Sequence, residues 1–205
     1  MEKTLDFVMR DKRQVILDTA LALFRSHGYR AIGVDRILFE SGVAKMTLYK
    51  YFPSKDALIK SVLEALDKSF RDGLEAFVET FATPEERFGA VFVWHDRWFK
   101  SDSFNGCMFI NAAAEFPEHG HLVRSTVARH KRHVQAFMAS LLASRLEDGE
   151  RDRLAAQLSL LLDGAIVSAQ ATGETDAARL AWRAAAILLK AAGIGIEVNP
   201  FPAEA

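Results

Sequence analysis

The chain is 205 residues long, half of them apolar and 15 of them phenylalanine, so a sizeable core can be buried without covalent staples. A single cysteine, Cys107, excludes an internal disulfide framework and fits a reducing compartment. The net charge of −1 hides an asymmetry: residues 1–60 carry eleven Lys and Arg against seven Asp and Glu, the remainder fifteen against twenty. One end is therefore the better match for an anion such as nucleic acid. Residues 1–13 are charged and hold no signal-peptide core, and the apolar stretches 154–171 and 184–196 are interrupted by Gln157, Asp163 and Lys190. Neither reads as a membrane span, and a soluble cytoplasmic protein is expected.

In chain order, apolar residues recur at three and four, the spacing of amphipathic helices, and no long stretch alternates as a strand would. Val15, Leu17, Leu21, Leu23 and Phe24 predict a helix over 11–27, ended by Gly28, which tolerates a left-handed conformation. A short helix over 34–41 stops at Gly42, and a third over 44–51 cannot continue through Pro53. Ser54 caps a long fourth helix, with Asp56 in its first turn and an end near Glu79. Thr83-Pro84-Glu85-Glu86 reads as a capping box with proline at the first helical position, opening a helix to about Lys100. A polar loop over 101–106, a short apolar helix over 107–116 ended by Pro117, and a long helix over 121–146 follow. A charged link over 147–150 leads to two Ala/Leu-rich helices, 151–171 and 175–192, divided by Gly173, and to an irregular tail over 193–205 containing Pro200 and Pro202. The count is about nine helices and no sheet.

The stretch 34–55, VDRILFESGVAKMTLYKYFPSK, places two short helices around the tight turn Ser41-Gly42-Val43, the layout of a helix-turn-helix. Ile37, Leu38, Val43 and Leu48 can bury against Leu21 and Phe24, which leaves Lys45, Met46, Tyr49 and Lys50 on an outer face. Lysine neutralises phosphate or reaches guanine, and Tyr and Thr hydroxyls bond phosphate oxygen. Lys55 lies in the first turn of the next helix, where free backbone N–H groups also attract phosphate. By periodicity alone, a plain helical corner fits as well.

The residues themselves go further. ALALFRSHGYRAIGVDRI, SGVAKMTLYKYF and SKDAL, which together span roughly residues 11–60, resemble the N-terminal signature of the TetR family of bacterial repressors. The later segment GCMFINAAAEF, residues 106–116, is similar to one that recurs in a subgroup of that family. The resemblance implies an all-α protein with an N-terminal three-helix helix-turn-helix DNA-binding head, residues 1–54. A larger C-terminal helical ligand-binding and dimerisation domain, residues 55–205, would follow. It implies that Thr47, Tyr49 and Lys55 meet phosphates, and that Lys45, Met46 and Lys50 meet base edges or nearby backbone. Tyr51 could contact DNA or pack, while Phe52 packs. The chain departs from the family pattern at Ile32-Gly33 and at Ala44, where members often carry Thr or Ser, so the resemblance does not extend to one or two capping or phosphate contacts there.

The implied partners are double-stranded operator DNA, a second copy of the chain, and a small-molecule effector, apolar or aromatic by default; no membrane and no cofactor are called for. A dimer surface is expected from Leu154, Leu158, Leu161, Leu162, Ala165 and Ile166 with Leu180, Ala184, Ile187, Leu188 and Ala191, since two such helix pairs can form a four-helix bundle. These helices could also pack wholly inside one subunit. Phe70, Phe77, Phe81, Phe88, Phe92 and Phe99 form an aromatic stripe of the kind that usually fills a core. Trp94, His95, Trp98, Phe109, Asn111, Glu115 and Phe116 combine rings with a few polar groups, as ligand sites do, and Asp163 is an acid in an apolar run. Glu115 and Asp163 either line that pocket or pair at a partly wet edge. His119, His121, His130 and His133 lack convincing metal spacing beside Arg129, Lys131 and Arg132, and Cys107 reads as a buried structural thiol rather than a redox sensor. No GxSxG elbow, Gly-rich phosphate loop or HExxH is present, so an enzyme is not expected. A dimeric helical adaptor without DNA binding is the alternative, though it would have no reason to keep Lys45, Thr47, Tyr49, Lys50 and Lys55 together.

Overall fold

The structure, a computed structural model, describes residues 11–196 and 199–201; of the expected irregular tail over 193–205, positions 197 and 198, Pro202 and 203–205 lie outside the described residues. Among the described residues there are nine α-helices and no strand. They are α1 (Lys12–His27), α2 (Val34–Ser41), α3 (Lys45–Tyr51), α4 (Lys55–Glu79), α5 (Pro84–Phe99), α6 (Met108–Glu115), α7 (Leu122–Leu142), α8 (Asp148–Thr172) and α9 (Ala177–Ala191).

The helix starts follow local chemistry. The Asp11 carboxylate accepts from the Arg13 N–H at 3.0 Å, and Ser54 Oγ accepts from the Ala57 N–H at 3.1 Å. Thr83 and Glu86 close a capping box ahead of α5, with Pro84 as its first residue. By contrast, α2 and α3 start at Gly33 and Ala44 with no side-chain cap. One expectation is corrected: the charged stretch 147–150 is not a link. Glu147 stands at the N-cap position of α8, and Asp148 and Glu150 fall in its first turn, where the positive end of the helix dipole favours acids. The real spacer is the stretch after α7, which stops at Leu142 rather than at 146.

The chain forms two compact units. The first takes in the described residues up to Asp67 together with Met108–Ala128: α1 to α3, the first half of α4, α6 and the start of α7. Here α1 packs on both α2 and α3, and Ile16, Ala20, Phe24, Ile37, Leu48 and Phe52 are buried.

The second unit takes in Lys68–Cys107 and the described residues from Arg129 onward. Its long helices α8 and α9 pack along each other, and α9 also packs on α5. Phe88, Phe92, Leu158, Leu162, Ala185 and Leu189 are buried there, with the Phe92 and Trp182 rings 5.3 Å apart. Asp96 is buried between two cations, with Lys100 2.9 Å away and Arg179 at 3.4 Å. By length and composition α8 could cross a membrane, but its partner α9 and the Lys131–Asp163 pair, 2.5 Å apart, give it the setting of a core helix.

Candidate nucleic-acid interface

Within the first unit, Gly42 makes the tight turn possible: its φ of 65° and ψ of 15° are the left-handed conformation that a Cβ disfavours. The chain then enters α3, whose single inward anchor, Leu48, is fully buried. Everything around that anchor follows from helical spacing. Lys45, Met46, Tyr49, Lys50 and Tyr51 are exposed, Met46 by 82 %, and Thr47 is half-buried. Lys45 lies 3.8 Å from Asp35 of α2, an exposed pair of little energetic weight. Arg13 sits over the ring of buried Phe52, and Tyr51 lies against that ring, its centroid 6.3 Å away. Sequence reasoning missed Phe39 on α2, which is 83 % exposed. An apolar residue in an amphipathic helix reads as core, and only its place on the face opposite Ile37 could have flagged it.

Lys55 is drawn inward rather than left free. It is only partly exposed, and its Nζ donates to the Arg30 carbonyl at 3.4 Å. Its pKa is lowered, mainly by burial, with the carboxylates of Glu115 and Asp56 opposing the shift and Arg30 adding to it. Lys55 lines a shallow depression of about 440 Å³ with Arg30, Asp56, Phe116, Glu118 and His121. His121 stacks on Phe116 and reaches Asp56 at 3.3 Å through Nε2, while its Nδ1 accepts from the Val123 N–H.

The residues expected to line a ligand site divide between the units. Phe109, Asn111, Glu115 and Phe116 belong to the first, Trp94, His95, Trp98 and Asp163 to the second. The two carboxylate oxygens of Glu115 accept from the N–H groups of Tyr29 and Arg30. In the second unit Trp94, His95 and Trp98 join Phe70, Phe99, Phe104 and His130 in a network of ring contacts, with Phe70 and Trp94 edge-to-face at 4.9 Å. His95 is buried and donates from Nδ1 to the Val91 carbonyl at 2.8 Å, and burial pulls its pKa down to about 4. Two open clefts of this unit flank residues 199–201. One, of about 640 Å³, is lined by residues including Arg179, Trp182 and Phe201; the other, of about 400 Å³, by residues including Phe81, Gly89 and Pro200. Among the described residues no group of three or more His, Cys, Asp or Glu is placed to hold a metal ion.

The set expected at a dimer surface also divides. Leu154, Leu158, Leu162, Ala165 and Ile166 are buried within the protomer, because they form the face of α8 that meets its own neighbours. Leu161, Ala184 and Leu188 are half-buried, while Leu180 and Ile187 are exposed by 59 % and 70 %. Leu160 and Val167, which were not expected there, are exposed on α8 by 70 % and 46 %.

This architecture is shared with known proteins. A family profile described as "Bacterial regulatory proteins, tetR family" matches residues 16–62, and one described as "Tetracyclin repressor-like, C-terminal domain" matches residues 84–185. The HTH-type transcriptional regulator YuxN of Bacillus subtilis is 43 % identical over 63 residues, 30 % of this chain and 22 % of its own. The HTH-type transcriptional regulator RutR of Escherichia coli is 38 % identical over 71 residues, 35 % of this chain and 34 % of its own. The chain thus matches only about a fifth to a third of these relatives' length. A solved TetR-family transcriptional regulator from Streptomyces coelicolor matches over 88 % of this chain and 95 % of its own, with a TM-score of 0.81 and 28 % identity. With both profiles in the family order, a helix-turn-helix with its outer face free, and a full-length structural match, the chain belongs to the tetR family of bacterial regulatory proteins.

Proposed function

We propose that the chain is a ligand-responsive transcriptional repressor that binds a palindromic operator as a homodimer in the cytoplasm and leaves it when a small molecule binds the helical body. The observation that carries this reading is the outer face of α3, where Lys45, Met46, Tyr49 and Lys50 stand exposed around one buried leucine, in a family that is regulatory and not enzymatic. A single seven-residue helix reads too few bases to be selective, and two half-sites about one helical turn apart, ~34–36 Å, supply the rest. Thr47 and Tyr49 are assigned to phosphates, and so is Lys55, once it releases the Arg30 carbonyl.

The second copy is assigned to the outer apolar rows of α8 and α9: exposed Leu160, Val167, Leu180 and Ile187 with half-buried Leu161, Ala184 and Leu188. An apolar or aromatic effector is assigned to the rings around Trp94, His95 and Trp98, with the Lys131–Asp163 pair as the polar group nearby. Effector binding then acts by favouring one arrangement of the heads over another, with typical couplings of about 1–3 kcal/mol.

The test is a pair of variants. Tyr49→Ala with Lys50→Ala should abolish binding to duplexes selected by the wild type while sedimentation still reports a dimer; undiminished binding would sink the α3 assignment. Leu180→Glu with Ile187→Glu should yield monomers, and an unchanged sedimentation coefficient would place the dimer surface elsewhere.

A further inference from the structure

We propose that Glu115 is the positioning residue of the DNA-reading head: its carboxylate clamps the turn between α1 and α2, and so makes α6 part of the body that carries α3. The consequence for DNA rests on the repressor reading above; the clamp itself does not.

Glu115 is the last residue of α6, where the negative end of the helix dipole disfavours an acid. What offsets that cost is on the other side of the contact. Glu115 Oε1 accepts from the Tyr29 N–H at 2.9 Å and Oε2 from the Arg30 N–H at 2.6 Å, so each oxygen holds one of two consecutive amides. These are charge-assisted bonds, the stronger kind. Arg30 answers from the same turn: its Nε donates to the Glu115 carbonyl at 2.7 Å, and its guanidinium covers the Phe116 ring at 5.3 Å. One of the carbonyls that a helix end leaves without a partner is thereby satisfied. Tyr29 holds the other end of α6, its buried hydroxyl donating to the Met108 carbonyl at 2.9 Å. Two adjacent residues of the turn thus grip the first and last residues of α6.

Gly28 shows that the turn is shaped for this grip. Its φ of 82° with ψ of 170° is a conformation essentially reserved for glycine, and a Cβ there would lie 2.9 Å from Glu115 Oε1. The turn in question runs straight to Gly33 and α2, and from there to α3, so its orientation sets theirs. Lys55 ties the start of α4 to the same Arg30 carbonyl. The chain joins α6 and the start of α7 to the second unit at Cys107–Met108 and Ala128–Arg129.

The full-length Glu115→Gln variant tests this, since it keeps the length and shape of the side chain and removes its charge. Loss of two charge-assisted bonds should speed amide exchange at Tyr29 and Arg30 by about tenfold or more. It should also speed exchange across α2 and α3 while leaving amides of α8 and α9 unchanged. Affinity for a duplex selected from a random library by the wild type should fall about tenfold, with the slope against salt unchanged, because the phosphate contacts remain while their geometry is loosened. A residue that only contributes to stability would leave that affinity intact well below the melting temperature. Faster exchange confined to residues 28–30, unchanged exchange, or an undiminished affinity each overturns the proposal. If the wild type selects no duplex, the DNA-binding reading fails, and exchange across α2 and α3 alone decides the clamp. Should Glu115→Gln not fold, Glu115→Asp, too short to span both amides, is read by the same criteria.

Discussion

Met46 offers an apolar, flexible side chain in the first turn of α3, more than four-fifths exposed, between Lys45 and a second lysine one turn on. The leading residues of a recognition helix are those that reach base edges, and the apolar feature a major groove presents is the thymine methyl group. Replacing each thymine of a selected half-site by deoxyuridine should therefore weaken binding at one position, by about threefold to tenfold. Met46→Ala should no longer sense that replacement; if it still does, another side chain reads the methyl group. The outer face of α3 was legible in the sequence because a seven-residue helix with one buried leucine leaves little choice of face. Glu115 was not, because its partners Tyr29 and Arg30 lie more than eighty residues away, and nothing local in an apolar run tells a pocket acid from a clamp. Nor was the bond from His95 to the Val91 carbonyl, which only the turn of α5 around it reveals.

Helix α3 begins at Ala44, whose φ of −64° and ψ of 143° are those of an N-cap, yet no side chain serves the first free N–H groups. Ala44→Ser should supply an acceptor and raise unfolding free energy by about 0.5–1 kcal/mol in denaturant titrations. No gain would mean that the hydroxyl turns to solvent. At this scale the sequence was informative wherever caps and breakers mark the boundaries: Asp11, Ser54, Thr83-Pro84, Gly42 and Gly173 all stand where helices start or stop. It misled at 147–150, where a run of charge looked like a linker and is in fact the opening of α8. It also could not sort α8 and α9 into inner and outer rows. Leu158 and Leu161 are equally apolar in sequence, and only packing against α9 decides which one is sealed off.

The stability of the whole molecule carries the signature of His95. The folded chain keeps the imidazole neutral, with a pKa of about 4 caused first by burial; Lys131 also lowers it, while the Val91 carbonyl and Asp163 pull the other way. The unfolded chain takes up a proton on this ring below its ordinary value of 6.5. The stabilisation is therefore complete above pH 6.5 and is lost as pH falls toward 4, up to about 3 kcal/mol in all. Denaturant titrations at several pH values should show this loss, and His95→Leu should lack that part of it. An unaltered pH profile in the variant would assign the acid sensitivity to other groups.

Most of the nine-helix order was visible from periodicity, but the grouping of those helices was not. Nothing in residues 1–54 announces that α6 falls in the same compact unit. The bonds from Tyr29 and Arg30 to Glu115 bear on synthesis as well as on form. Translation at about 5–20 residues per second puts several seconds between the emergence of the two sides of that contact. The helix-turn-helix leaves the ribosome ahead of α6, yet its own turn closes only after the more than eighty residues between the two have followed.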